Sequence, residues 1–355
     1  MLADYLPLLI TVVICAFARP IAGRLAILDH PDGDRKLHAG AVPLVGGIAV
    51  TAAMATWAAV RLLTGAATPA GMEFVILLSV GGVAVLGFID DQRTISPSAR
   101  LILLGIFAAT ALRLDPQLFV KGIHTLSWGW IPFAPIVSVA LFVSALVGFS
   151  SAVNMADGMT GLVLSLICIW SACLVLRGGS VTGVAELLGA ASFVTLLFNA
   201  NGKLFLGDCG AFALAFALGL FAIASHNQGR LPLETAVAWF CLPVLDCIRL
   251  IPTRLWRGCS PFRPDRLHIH HRIAARVGDR AGVLTYVGLV GLSSLICALR
   301  PDVSAEDVLF SVALYVGFIV ADAVVPETIL RPVSSGSTKA VALKKQGAPE
   351  PWAPH

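Results

Sequence analysis

The chain has 355 residues, 57% of them hydrophobic and 13% charged, with a net charge of +4 and a mean hydropathy of +0.86. That balance excludes an ordinary water-soluble domain and indicates a polytopic membrane protein. In lipid only helices and closed barrels satisfy their backbone polar groups, and the chain lacks the alternation of a barrel, so the expected fold is all-α.

Eleven apolar stretches near spanning length follow one another, at about 5–19, 44–62, 72–89, 98–113, 132–152, 160–176, 182–199, 208–225, 233–251, 282–299 and 307–325. The first has no basic lead-in and runs into Arg19-Pro20, which reads as a retained helix and not as a cleaved signal. No internal repeat stands out. The expected organisation is one transmembrane domain over 1–332 and a disordered tail over 333–355, rich in Ser, Gly, Lys and Pro. The eight cysteines form no CxxC pair and sit mostly in apolar runs, as packing residues would.

Eleven spans place the termini on opposite sides. With the N-terminus outside, one side collects 19 of the 25 Lys and Arg residues, and the positive-inside rule makes that side cytoplasmic. Trp128 and Trp130 then fall in an outer linker, where an aromatic belt would hold them.

The same alternation carries five polar clusters to the cytoplasmic face. They are Arg35-Lys36-Leu37-His38, Asp90-Asp91, Asn154-Met155-Ala156-Asp157-Gly158, the stretch from Asn199 to Gly210 with Phe205 and Asp208, and Arg263 to Arg272 with Arg266, His268, His270 and His271. A shared site at the membrane surface explains that convergence. A carboxylate pair where a helix leaves the bilayer is costly to keep unless it has a task. Asp90, Asp91, Asp157 and Asp208 offer oxygen ligands for Mg²⁺ and one general base. Gly158, Gly207 and Gly210 let backbone approach a ligand. Arginines with histidines suit an anionic phosphate partner. Acids and cations together at this face indicate phosphoryl transfer on a nucleotide or lipid phosphate.

Plainer readings exist for each cluster. The Arg-rich linker can serve as a topology signal, Asn154 and Asn201 as helix caps, and Phe205 as interfacial packing. Asp246 can snorkel to the surface, pack, or support the site from behind. The three histidines lack a fourth soft ligand at zinc-finger spacing. The rival class is a secondary transporter, whose acids would lie near the bilayer midplane between two related halves. A non-catalytic scaffold is a third reading, and the intact Asp90, Asp91 and Asp208 speak against it.

Taken in order, the clusters resemble the polyprenyl-phosphate N-acetylhexosamine-1-phosphate transferase family (glycosyltransferase family 4). The matching elements are Arg35-Lys36-Leu37-His38 with Pro43 and Gly46-Gly47, Asp90-Asp91, Asn154-x-x-Asp157-Gly158 with Gly161-Leu162, Phe205-Leu206-Gly207-Asp208-x-Gly210, and Ser260-Pro261-Phe262 through His271. The final histidine string, with Pro243-x-x-Asp246 before it, looks most like the undecaprenyl-phosphate GlcNAc-1-phosphate transferase branch that primes O-antigen, common-antigen or other envelope polymers.

The resemblance implies an enzyme that passes N-acetylhexosamine-1-phosphate from a UDP-sugar to undecaprenyl phosphate and releases UMP. It implies a bacterial inner-membrane location and Mg²⁺ as cofactor, with Mn²⁺ as a substitute. Nucleic acid has no place in it, and a homodimer stays open. It assigns Asp90, Asp91 and His270 to catalysis and Asp91 and Asp208 to the metal. Lys36, Asn154, Asp157, Phe205, Arg266, His268 and His271 fall to sugar-nucleotide and phosphate binding. Asp90 falls to the base that deprotonates the lipid phosphate, with a covalent phospho-intermediate on the same carboxylate left open. Thr160 stands where a second Asp is usual, which puts nearby metal or nucleotide contacts in question, and Ala211 replaces a Ser whose hydroxyl would have been a cap for span eight.

Overall fold

The computed structural model describes residues 2–31, 40–66, 71–256, 258, 260, 267–300, 312–313 and 315–317. Within them the chain is a helical membrane bundle. Helices α1 (Leu2–Ala16) and α2 (Ala18–Leu25) meet at a 76° bend, beside Arg19-Pro20. A two-residue ladder, β1 (Leu28–Asp29) with β2 (Val42–Pro43), leads into α3 (Gly46–Leu63). Next come α4 (Met72–Val75), a π-helical turn over Ile76–Val80, and α5 (Gly81–Gln92), which together make one span over Met72–Gln92. Helix α6 (Pro97–Leu114) starts on a Ser96 cap that accepts the Ala99 N–H, with Pro97 at its first turn.

An antiparallel hairpin, β3 (Gly122–Thr125) with β4 (Gly129–Pro132), precedes α7 (Pro135–Ala156). Helices α8 (Leu162–Arg177), α9 (Thr182–Asn199), α10 (Gly207–Asn227), α11 (Leu233–Trp256), the short α12 (Ile269–Val277) and α13 (Asp279–Leu299) complete the bundle. Among the described residues eight helices are long and apolar enough to span, nine if the bent α1–α2 pair is one span, and α8 is a shorter apolar helix. Ten of the eleven expected stretches are therefore helical. The eleventh, 307–325, lies almost entirely outside the described residues, and so does the tail over 333–355.

Helix α10 is the axis of the bundle. It is buried nearly all round from Cys209 to Ser225, whereas α6 and α13 turn Ile102, Ile106, Leu284 and Leu292 outward, as a lipid-facing surface requires. Small residues bring its neighbours in. A Cβ on Gly47 of α3 would stand 2.1 Å from the Gly210 amide nitrogen, and one on Gly87 of α5 would stand 2.4 Å from the Asp208 carbonyl oxygen. Backbone-to-backbone contact of this kind is how membrane helices gain packing energy without a hydrophobic driving force. The β3–β4 hairpin covers the far end of α10 and the start of α11: the His124 N–H donates to His226 Nε2 at 3.3 Å and the Leu126 N–H to Glu234 Oε1 at 3.0 Å. Trp128 and Trp130 stand exposed there, on the outer linker expected to carry an aromatic belt.

Candidate active site

The N-terminus of α10 has no capping side chain of its own. Its exposed amides need acceptors, and the helix dipole favours a negative one. Asp91, at the end of α5, supplies it: Oδ1 accepts the Asp208 N–H at 2.8 Å and Oδ2 the Cys209 N–H at 3.0 Å. Gly207 makes the approach feasible, with φ at +74° and room for no Cβ, which would lie 2.7 Å from Asp91 Oδ2. The hydroxyl missing at Ala211 is therefore not needed as the cap, since a carboxylate from another helix serves.

Capped in this way, α10 presents Asp208, whose Oδ1 accepts from Asn154 Nδ2 at 2.7 Å. Asp90 is buried beside it. Its Oδ1 accepts the Ile95 N–H at 2.7 Å, and its Oδ2 pairs with Arg100 Nε at 2.8 Å. Arg100 also donates to the Ile95 carbonyl at 3.1 Å. Asp157 lies half-buried just past α7 and accepts no hydrogen bond among the described residues. Desolvation, then the Asp208 and Asp91 charges, push its carboxyl up to about 8.

The histidines arrive on the turn into α12. Asp246 of α11 is 2% exposed and receives three donors: Arg249 Nη2 at 2.7 Å on Oδ1, and His268 Nδ1 at 2.8 Å with the Ile269 N–H at 3.2 Å on Oδ2. His268, His270 and His271 form a column, with ring centroids 5.3 Å apart for the first pair and 4.3 Å for the second. The column closes over Gly158, where a Cβ would come within 2.8 Å of His271 Nε2. His270 is fully buried with both ring nitrogens unpartnered among the described residues. Burial, then the neighbouring His271 and His268, hold its imidazole well below 6.5.

One open-sided cavity of about 2620 Å³ joins these parts. Asp90, Asp91, Asn154, Asp157, Phe205, Asp208, His268 and His271 line it, as a shared site requires. His270 does not; it packs behind the two lining histidines and edge-on to Tyr286. Lys36 and Arg266 lie outside the described residues. The cavity continues from the acids between α7 and α11 along Phe142, Phe149 and Phe240 to Val120, Ile123 and His226 near the hairpin.

Arg100, Arg254 and Asn199 are among the lining residues that the sequence reading did not assign to the site. Arg100 had a usable signal, since the Ser96-Pro97 helix start fixes it one turn into α6, facing the preceding Asp90. Asp246, His268 and His270 offer ligand atoms within 4.8 Å of one another. A cation fits poorly there, because both Asp246 oxygens already receive N–H donors and Arg249 is ion-paired to the carboxylate.

The sequence model of glycosyl transferase family 4 matches residues 73–226. The undecaprenyl-phosphate alpha-N-acetylglucosaminyl 1-phosphate transferase of Escherichia coli K12 is 28% identical over 304 residues, 81% of this chain and 80% of that protein. The protein of the same name from Yersinia pestis is 29% identical over 274 residues, 72% of each chain, and that from Pasteurella multocida 26% identical over 316 residues, 79% of this chain and 80% of that one. The resemblance read from the ordered motifs agrees with both kinds of match.

Proposed function

This chain is a glycosyl transferase family 4 relative, and from that premise we propose that it transfers N-acetylhexosamine-1-phosphate, GlcNAc-1-phosphate foremost, from a UDP-sugar to undecaprenyl phosphate, releasing UMP. One observation carries this reading: a single cavity has Asp90, Asp91, Asp157 and Asp208 with His268 and His271 at one end and mostly apolar walls along the rest. An amphiphilic lipid phosphate needs both parts, a polar end for its headgroup and an apolar groove for its chain.

The contacts suggest each residue's part. Asp90 either deprotonates the lipid phosphate or attacks the donor diphosphate itself; both use a carboxylate at this position. Its Oδ2 is held by Arg100, so an arriving phosphate competes for the guanidinium and frees that oxygen. Asn154 orients Asp208. Phe205, half-buried in the lining, offers a face to the uracil. His268 and His271 grip phosphate oxygens, and His270 backs them. Lys36 and Arg266 are assigned to phosphate on motif position alone.

Mg²⁺ suits the donor set, with Mn²⁺ able to replace it. The donors are hard oxygens, and among the described residues Asp90 is the one of the four acids with an ion pair. Asp208 and Asp157 would hold the ion. Asp91 would join through the lone pair left on either oxygen beside its backbone amide. When bound, the ion neutralises charge on the diphosphate and on the departing UMP.

The bundle would sit in a bacterial inner membrane with its N-terminus outside and the site cytoplasmic, as the distribution of Lys and Arg suggests. A transporter is disfavoured because the acids gather at helix ends and not at mid-span. The test is UMP release by the purified protein with Mg²⁺, undecaprenyl phosphate and a panel of UDP-sugars. Release with UDP-GlcNAc is expected; no release with any UDP-sugar would sink the proposal.

A further inference from the structure

Asp246 takes no part in the cavity lining, yet it is among the most heavily engaged side chains near it. It sits on α11 one turn after Pro243, which lies inside that helix. Its carboxylate accepts the first N–H of α12, from Ile269, and that helix has no capping side chain at its N-cap residue, His268. Arg249 ties the same point twice, through Nη2 to Asp246 Oδ1 at 2.7 Å and to the Leu267 carbonyl at 2.9 Å. The end of the long linker is thus pinned to α11 immediately before the histidines begin.

We propose that Asp246 is the positioning residue of the histidine loop: its carboxylate fixes His268 as the Nδ1–H tautomer and turns Nε2 toward the cavity beside Arg254. The chemistry leaves one assignment. An ionised carboxylate only accepts, so the imidazole nitrogen 2.8 Å from it carries the proton. Arg254 Nη2, which can only donate, stands 3.5 Å from Nε2 and makes that nitrogen the lone-pair side. His268 and Arg254 both line the cavity.

The second nitrogen of a held histidine is set by the bond the first one makes. Here that leaves Nε2 ready to take the acid proton of an arriving hydrogen-phosphate group, whose oxygen then accepts from the new Nε2–H while Asp246 faces the imidazolium through Nδ1–H. Asp246 acts on phosphate only through His268. This rests on the phosphate-transfer reading given above, but the tautomer itself does not.

The two can be tested apart. Side-chain ¹⁵N NMR of the histidine-labelled full chain in detergent micelles, without substrate, reports the tautomer, with the His268 signals assigned by His268→Gln. The parent is expected to show His268 protonated at Nδ1 and bare at Nε2. Asp246→Ala is expected to lose that state. In the UMP-release assay Asp246→Ala should lower kcat by at least about tenfold, with the KM for the UDP-sugar changed less than about threefold, because Asp246 touches neither substrate. Asp246→Glu, which keeps an acceptor, should recover kcat to within about threefold of the parent.

An Nε2–H tautomer in the parent would overturn the proposal, even if Asp246→Ala fails to fold. An unchanged tautomer in a folded Asp246→Ala, or a kcat within about twofold of the parent, would overturn it too. A parent that shows the Nδ1–H state but releases no UMP with any UDP-sugar refutes the transfer reading and leaves the tautomer assignment standing.

Discussion

Asp91 and Asp208 are both acids at one helix start, and they should fail in different ways. Asp91→Asn keeps the size but replaces one oxygen with an NH₂ group. At Asp91 both oxygens accept backbone amides, at 2.8 and 3.0 Å, so the new group must set donor against donor at one of them. Losing a helix cap costs about 0.5–2 kcal/mol. Gly207, packed on the same carboxylate, leaves little space for relief. A destabilisation of about 1–2 kcal/mol is expected, together with lost turnover.

Asp208→Asn is the contrast. Its carbonyl oxygen can still accept from Asn154, so stability should stay within about 0.5 kcal/mol of the parent. Turnover should fall sharply, because a metal contact contributes several kcal/mol of transition-state stabilisation. Thermal unfolding in detergent and UMP release, measured on both variants, give the comparison. If Asp91→Asn melts with the parent, the cross-helix cap contributes nothing and the reasoning about α10 fails.

Other outcomes follow from the same geometry. Arg100→Lys should lower kcat by at least about tenfold, roughly 1.4 kcal/mol of barrier, since an ammonium replaces the planar guanidinium that bridges Asp90 and the Ile95 carbonyl; parent-like kinetics would remove it from the site. Asp157, raised to about 8 in the fold from an ordinary 3.8, holds a proton that the unfolded chain has lost across that interval. Its contribution to metal-free stability should therefore decline as pH rises from about 4 to 8, and Asp157→Asn should flatten that decline in unfolding midpoints. A midpoint slope unchanged by Asp157→Asn would show that the group does not titrate there. For orientation, labelling from outside intact cells should reach Ser127→Cys and miss Ser260→Cys; the reverse pattern would place the site on the outer face.

The helices and the gathering of the acids were legible in the sequence for a simple reason. Apolar length marks a span, and alternation of spans assigns each linker to a face. Asp90, Asn154, Asp157, Asp208, His268 and His271 were placed together on that reasoning alone, and they line one cavity. What was not legible depends on contacts between distant parts of the chain. The capping role of Asp91 needs amides more than a hundred residues away, and the grip of Asp246 on His268 crosses an entire linker. Nothing local separates His270, buried behind its neighbours, from His268 and His271 in the same string. The first stretch was read as one span over about 5–19, whereas the chain turns by 76° after Ala16, where Arg19-Pro20 follows. The two short strand pairs carry too few residues for a strand pattern to stand out.

The central claim is that the phosphate next to the sugar travels with it. UDP-GlcNAc labelled with ³²P in its β-phosphate, supplied with undecaprenyl phosphate and Mg²⁺, tests this directly. The account predicts that the label enters the lipid product and that the released nucleotide is unlabelled UMP. Label retained in released UDP, or absent from the lipid while the sugar is transferred, would contradict it.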